Sequence, residues 1–367
     1  MTDTAELQEL AATVRAVLTR HGDRAALRQA IDSELGYDER LWHLLCEQVG
    51  VAALAIPEEY GGVGADIDTA LVVIEELGRT LHNPPMLGSA VLGVQALLAT
   101  DDADAAQRLL PDVAEGTRTL AVCWADEKGW AAGTIGSSGA AARGPAGYAV
   151  RADGDTLTGT AHYVLDGANA DTLLVVTADG LYEIDATAAG VTRTVVRTMD
   201  PTRRLSTIAF DGAAATRLGG DADAITARLR AVAWTALAAE QVGAADQCLD
   251  TTVEYSKSRV QFGRAIGSFQ ALKHRMADMY VLVESARSAA YAAIADLDRP
   301  VSAETTLDLE SARIHCSHAF RSVVSETVQM HGGIAITWEH DAHLFFKRAH
   351  GDAELFGMPG RPLARPA

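Results

Sequence analysis

The chain has 367 residues, too long for one ordinary core, so two or three packed units are expected. Hydrophobic residues at 48% and charged residues at 22% describe an ordinary globular protein, and no apolar run reaches membrane-spanning length. A net charge of −18 argues against a general nucleic-acid surface, which needs local positive charge, but is compatible with an anionic cofactor held by a few placed arginines.

Along the first block, from about Thr4 to Glu115, apolar residues recur at helical spacing: Leu41, Leu44, Leu45 and Val49, then Leu71, Ile74 and Leu77. Between these runs the proline and three glycines of Ile56–Gly64 force an irregular loop, and Gly78 with Pro84 and Pro85 is expected to break the next helix. Cys46, Cys123, Cys248 and Cys316 are far apart and form no Cys-x-x-Cys pair. With no evident signal peptide they read as reduced, mostly core thiols in a cytosolic protein.

From about Arg118 to Gly219 the character changes. Short threonine- and valine-rich runs such as Leu173–Thr177 and Val191–Val196, separated by glycine and aspartate turns, predict an antiparallel sheet or small barrel. From about Asp221 the chain is helical and alanine-rich again. Phe269, Leu272, Met276, Met279 and Val283 advance by three or four residues and form one stripe, which reads as core. Long helices with such stripes need neighbours, and a four-helix bundle is the economical packing.

Two turns in this last block carry more than structure demands. One joins two long helical segments through Arg259, Gln261, Phe262, Gly263 and Gln270. A plain helix connection needs a glycine and polar residues, not an arginine, an amide and an aromatic around that glycine, so an anion-binding corner competes with a structural turn. The other holds Gln329 and His331 on the last turn of a helix, followed by Gly332 and Gly333. Neither glycine has a Cβ, so a bulky ligand can approach the backbone. A glycine C-cap followed by a loop is the compatible plain reading.

The corner reads R-x-Q-F-G-x-x-I-x-x-F-Q and resembles the acyl-CoA dehydrogenase family at the turn holding the pyrophosphate of FAD. I-P-E-E-Y-G-G-V-G followed by I-E-E-L-G-R resembles that family's amino-terminal domain. Asp200–Leu205 with Ile208–Asp211 resembles the closing strands of its middle domain, and Gln329–Gly333 its Q-x-x-G-G segment. The resemblance covers most of the chain with motif order preserved. It implies an α+β multidomain fold: a helical domain over 1–117, a middle β-barrel or sheet domain over 118–220, and a carboxy-terminal four-helix bundle over 221–367. It makes Arg259, Gln261, Phe262, Gln270, Gln329, Gly332 and Gly333 FAD contacts across a subunit boundary. Arg259 would meet pyrophosphate, to which a guanidinium is suited. The implied activity is α,β-dehydrogenation of an acyl-CoA thioester, as in lipid β-oxidation, with electrons leaving to an electron-transfer flavoprotein. Arg203 and Arg204 are candidates for a CoA phosphate.

Departures from the family pattern carry information too. The flavin-facing T-E-P-x-x-G-S-D segment is replaced by Cys123–Trp130, and K-x-W-I-T by Ala161–Leu165. The family's usual glutamate base, which removes the proton alpha to the thioester carbonyl, falls on Phe356, and its alternative slot falls near Ala233. Glu354 and Glu240 are the carboxylates nearest those slots and the two candidate bases. This combination resembles the second-type subunit of actinobacterial heteromeric acyl-CoA dehydrogenases acting on steroid side chains and other bulky esters, in which a partner chain brings the flavin-ring pocket and the glutamate. A self-sufficient homo-oligomer with a relocated base, and a flavin-free acyl-CoA-binding or scaffold protein, are the alternatives.

Overall fold

A computed structural model describes residues 4–130, 148–299 and 302–357. Six helices come first: α1 (Thr4–His21), α2 (Arg24–Asp32), α3 (Glu39–Val49), α4 (Ile67–Thr80), α5 (Val94–Leu98) and α6 (Ala103–Ala114). Aspartate side chains start three of them by accepting from backbone N–H groups otherwise unpaired: Asp23 from Ala26, Asp38 from Leu41 and Asp102 from Ala105. The expected apolar faces are buried, Leu41 and Leu45 on α3 and Leu71, Ile74 and Leu77 on α4.

Gly78 does not break α4, contrary to the expectation from sequence; the helix runs through it to Thr80. Its role is close approach. A Cβ there would lie 2.3 Å from the carbonyl oxygen of Glu240, and a Cβ at Gly243 would lie 1.9 Å from that of Glu75. The two glycines let α4 cross the long helix α7 (Ala222–Ser258) at backbone contact, joining the first domain to the third.

The middle region holds β1 (Leu120–Cys123), β2 (Val150–Asp153), β3 (Thr156–Leu165), β4 (Thr172–Thr177), β5 (Gly180–Asp185), β6 (Val191–Val196), β7 (Leu205–Ala214) and β8 (Thr216–Gly219). They form two open four-stranded sheets, ordered β1-β4-β5-β8 and β2-β3-β7-β6, rather than a closed barrel. All pairs are antiparallel except β1 with β4. Strand β4 is buried on both faces because alternate side chains serve two cores. Leu174 and Val176 join the core shared with the helices, while Leu173 and Val175 pack between the sheets.

The third region is the bundle: α7, α8 (Gln270–Asp296), α9 (Ala303–His331) and the short α10 (Ala342–Glu354). Since α8 runs back between them, α7 and α9 are parallel and their C-terminal ends meet. There Thr252 donates to Thr327 at 3.0 Å, and the rings of Tyr255 and His331 stack at 4.3 Å. Of the α8 stripe, Met279 and Val283 are buried, but Phe269, Leu272 and Met276 are only half-buried. The first turns of α8 stand at this bare end of the bundle. Among the described residues, no helix is long and apolar enough to cross a membrane.

Candidate functional site at the bundle end and the domain junction

Helix α7 ends at Ser258, and Arg259 follows in extended conformation, its N–H bonded to the carbonyl of Tyr255. A two-stranded hairpin, β9 (Val260–Gln261) with β10 (Arg264–Ala265), then turns through Phe262 and Gly263, both at positive φ (53° and 76°). Glycine adopts that backbone freely; phenylalanine does so at a cost. Phe262 is nevertheless 92% exposed, touching Phe269 edge-on at 6.1 Å. The Arg259 side chain is exposed and has no acidic partner among the described residues. Gln261 donates only to the carbonyl of Val260, and Gln270 meets His274 at 2.9 Å.

The stacking of Tyr255 on His331 brings this corner and the glycine pair to the same end of the bundle. Gln329 is exposed there. Gly332 caps α9 with φ 65°, which accounts for that glycine. Gly333 has no such account: it has no positive φ, and a Cβ on it would meet nothing within 4 Å. Neither this chain's backbone nor its packing demands glycine at 333, and the space beside it is open to an approaching ligand. An unpartnered guanidinium, exposed amides at Gln261, Gln270 and Gln329 and an unobstructed glycine suit the phosphate and nucleotide half of FAD.

His331 and His340 sit behind the glycine pair with ring centres 4.4 Å apart. The geometry of His340 needs a neutral ring, whereas that of His331 is open to either form. The His331 Nδ1 is 2.7 Å from the carbonyl of Thr327, and the His340 Nδ1 accepts from the N–H of Ala342 at the start of α10. Burial, followed by repulsion from His331, pushes His340 down to about 4.

Where the resemblance places the flavin ring, between the middle domain and α10, the arrangement differs. Phe356, in the slot of the family's glutamate, is 2% exposed with φ 59°. It packs on Trp130 (5.3 Å between ring centres) and Trp124 (5.9 Å), and Trp130 packs on Tyr163 (5.5 Å). The indole N–H of Trp234 donates to the carbonyl of Phe356 at 3.1 Å and holds it there. These rings fill the space where the resemblance places a flavin-ring pocket, and they do not fit that half of the cofactor. Two tryptophans in the segment that replaces Thr-Glu-Pro are the sequence signal for this plug; its assembly with Phe356 was not foreseen. A cavity of about 400 Å³ remains beside it, lined by Lys128, Trp130, Tyr163, Met199, Arg203 and Glu354, among others.

Of the candidate bases, Glu240 is excluded by its surroundings. It is 4% exposed and bridges two buried arginines: Arg203 donates to it at 2.5 Å and Arg348 donates to its other oxygen. Burial alone would push its carboxyl up, but the guanidinium groups of Arg203 and Arg348 outweigh that and hold it below the usual carboxylate range. A carboxylate so paired is a poor proton acceptor. Arg203 also donates to Asp352 at 2.5 Å, and Arg348 to Asp200, Thr202 and the carbonyl of Leu81. This cluster joins all three domains. It also corrects the assignment of Arg203 and Arg204 to a CoA phosphate: Arg203 is buried in ion pairs, and Arg204 donates to the carbonyls of Ile31 and Ser33. Glu354, the last residue of α10, stands exposed at the cavity rim.

Two helical regions, a sheet domain between them and a nucleotide-suited corner at the bundle end define a flavoprotein dehydrogenase architecture. Residues 4–117 match the acyl-CoA dehydrogenase N-terminal domain and residues 227–358 the acyl-CoA dehydrogenase C-terminal domain, and the chain belongs to the acyl-CoA dehydrogenase family, whose members are FAD-dependent oxidoreductases. It is 43% identical over 360 residues to acyl-CoA dehydrogenase IpdE2 of Mycolicibacterium smegmatis, an alignment covering 98% of this chain and 97% of that protein. Among solved structures it resembles the Tcur3481-Tcur3483 steroid acyl-CoA dehydrogenase (TM-score 0.82, 29% identity, 97% of this chain and 94% of that one). It also resembles the ChsE4-ChsE5 complex of Mycobacterium tuberculosis (TM-score 0.80, 27% identity, 96% and 93%).

Proposed function

We propose that this chain serves FAD-dependent α,β-dehydrogenation of an acyl-CoA thioester as one of two chain types in a heteromer, completing a flavin site whose ring pocket and glutamate belong to the partner chain. The observation that carries this reading is Phe356: an aromatic side chain, buried and packed on two tryptophans, stands where a glutamate would face the substrate. The bundle end supports the other half. Arg259, Gln261, Phe262, Gln270, Gln329, Gly332 and Gly333 remain exposed or bare, with Arg259 to pair with pyrophosphate and Gly333 to admit the nucleotide. Bound FAD supplies the hydride acceptor, and an electron-transfer flavoprotein is the electron sink we assign. Similarity to a steroid acyl-CoA dehydrogenase and to a two-component complex supports a bulky, steroid-derived acyl group and a two-chain assembly.

The test is flavin stoichiometry with turnover. Purified alone, the chain is expected to hold little FAD and to leave a panel of acyl-CoA esters unoxidised; co-expression with the right second family member restores both. One FAD per chain with robust activity in a pure homo-oligomer would overturn the reading. That outcome would favour Glu354, at the rim of the cavity beside Trp130 and Tyr163, as base of a self-sufficient enzyme. Glu354→Gln would then lower the chemical step by orders of magnitude with FAD still bound.

A further inference from the structure

The cavity of about 400 Å³ beside the aromatic plug falls within the size range of small-molecule sites. Three of its lining residues carry a buried polar atom with no hydrogen-bond partner: Nε1 of Trp130, Nε of Arg203 and Oδ2 of Asp352. Buried polar atoms are nearly always paired, because an unpaired one keeps its desolvation cost, so three around one cavity need an account. Their side chains are also fixed in place. Arg203 is held by Glu240 and by Oδ1 of Asp352, and Trp130 packs on Tyr163 and Phe356. Tyr163 on the wall and Phe356 beside it have left-handed backbone (φ 53° and 59°), a strained conformation that gathers at ligand sites.

The wall selects its ligand. Both nitrogens are donor-only, so what they meet must present an acceptor oxygen, while Oδ2 of Asp352 can receive a hydroxyl. Charge argues against an acid. The lining carries Asp200, Asp352 and Glu354 against Lys128 and Arg203, and so offers no surplus positive charge to a carboxylate or phosphate. Val196, Met199, Leu205 and Leu355 join the aromatic rings to make the rest largely apolar.

We propose that this cavity is a ligand site separate from the FAD corner at the bundle end, and that it takes a neutral, compact, apolar molecule with a carbonyl oxygen, such as a bicyclic ketone. The proposal rests on the two-chain reading above, in which the flavin ring lies in the partner chain and leaves this space to another molecule.

The experiment is calorimetric titration of the full chain with indan-1-one, indane-1-carboxylate and riboflavin, for wild type, Val196→Trp, Trp130→Phe and Val195→Trp. Val196→Trp fills the cavity; Val195, its 47% exposed neighbour on β6, is off the wall and serves as control. We expect indan-1-one to bind at least about tenfold tighter than the carboxylate, because an unpaired charge is costly in a buried site. Val196→Trp is expected to abolish binding and Val195→Trp to leave it unchanged. Trp130→Phe keeps a ring and removes the N–H, so affinity should fall about three- to tenfold, the worth of one hydrogen bond. Thermal melts check that each variant folds, and if Val196→Trp does not, Trp130→Phe decides alone. Failure of indan-1-one to bind wild type, or binding indifferent to the cavity variants, would overturn the site. Tighter binding of the carboxylate would overturn the ligand class. Riboflavin bound here and lost in Val196→Trp would overturn both the proposal and the two-chain reading. Turnover by a pure homo-oligomer with one FAD per chain, and indan-1-one still bound in this cavity, would sink the two-chain reading and leave the site standing.

Discussion

The domain junction and the bundle end both depend on arginine, and they use it in opposite ways. At the junction Arg203, Arg313 and Arg348 are buried. Arg203 and Arg348 bridge carboxylates, while Arg313 donates to the carbonyls of Asp352, Ala353, Leu355 and Gly357. At the bundle end Arg259 and Arg264 stand in solvent with no acidic partner among the described residues. A buried, ion-paired cluster defines one arrangement of the domains; an exposed, unpaired one is available to a ligand or partner. Burial and pairing, not residue type, separate the two roles, and Glu240 shows it best. Its residue type suits a catalytic base, and its position makes it a bridge between two arginines.

The largest expected effect probes the junction. Arg348→Ala leaves Glu240 and Asp200 without their shared partner, and removing one member of a buried pair typically costs about 3–5 kcal/mol. Urea unfolding measures this, and a loss below about 1 kcal/mol would mean the cluster is not a clamp. Phe356→Ala tests the plug. A buried phenylalanine truncated to alanine costs about 3–5 kcal/mol, and flavin content is expected not to rise. A gain of bound flavin on opening that space would show the ring pocket to be latent rather than lost.

Arg259→Ala reverses the pattern. Stability is expected to change by less than about 0.5 kcal/mol, as for an exposed site, while FAD retention in the assembled protein weakens by about 1.5–3 kcal/mol. Unchanged flavin absorbance at matched salt would remove the main support for the corner. Gly333→Ala is the gentlest probe: with open space around its Cβ it should leave unfolding unaltered and reduce FAD retention. Equal retention would return that glycine to chance.

pH separates the regions by sign. Burial, followed by the nearby Glu240, pushes Asp352 up to about 7, so the folded state keeps a proton that the unfolded chain gives up near 3.8. Its contribution is full below that range and is lost as pH rises through 7. His340 is held down to about 4 against an ordinary 6.5, so its contribution is present above 6.5 and lost as pH falls toward 4. Thermal melts across pH 4–8 should show Asp352→Asn removing a loss of stability as pH rises toward 7, and His340→Asn removing a loss as pH falls toward 4. Slopes of the opposite sign, or unaltered by the substitutions, would contradict the assignment.

Much of this protein is legible without coordinates. Helical spacing marks α3 and α4 because one face of each meets the core, and the threonine–valine runs mark β4 and β6 because β-branched side chains fill a pleated surface. The corner and the glycine pair are readable because their chemistry is local: an arginine, amides and glycines within a few residues of a turn keep their meaning wherever that turn lies. Gly78 is the counter-example. Its helix-breaking tendency is a local preference, and the approach of the Glu240 carbonyl overrides it from across the domain boundary.

What tertiary structure alone decided is how distant residues share space. Glu240, Arg203 and Arg348 are separated by tens or hundreds of positions and become one ionic cluster only when three domains meet. Trp124, Trp130, Tyr163 and Phe356 become one plug for the same reason. The Coulomb and packing energies that settle their roles fall steeply with distance, and sequence separation carries no record of that distance.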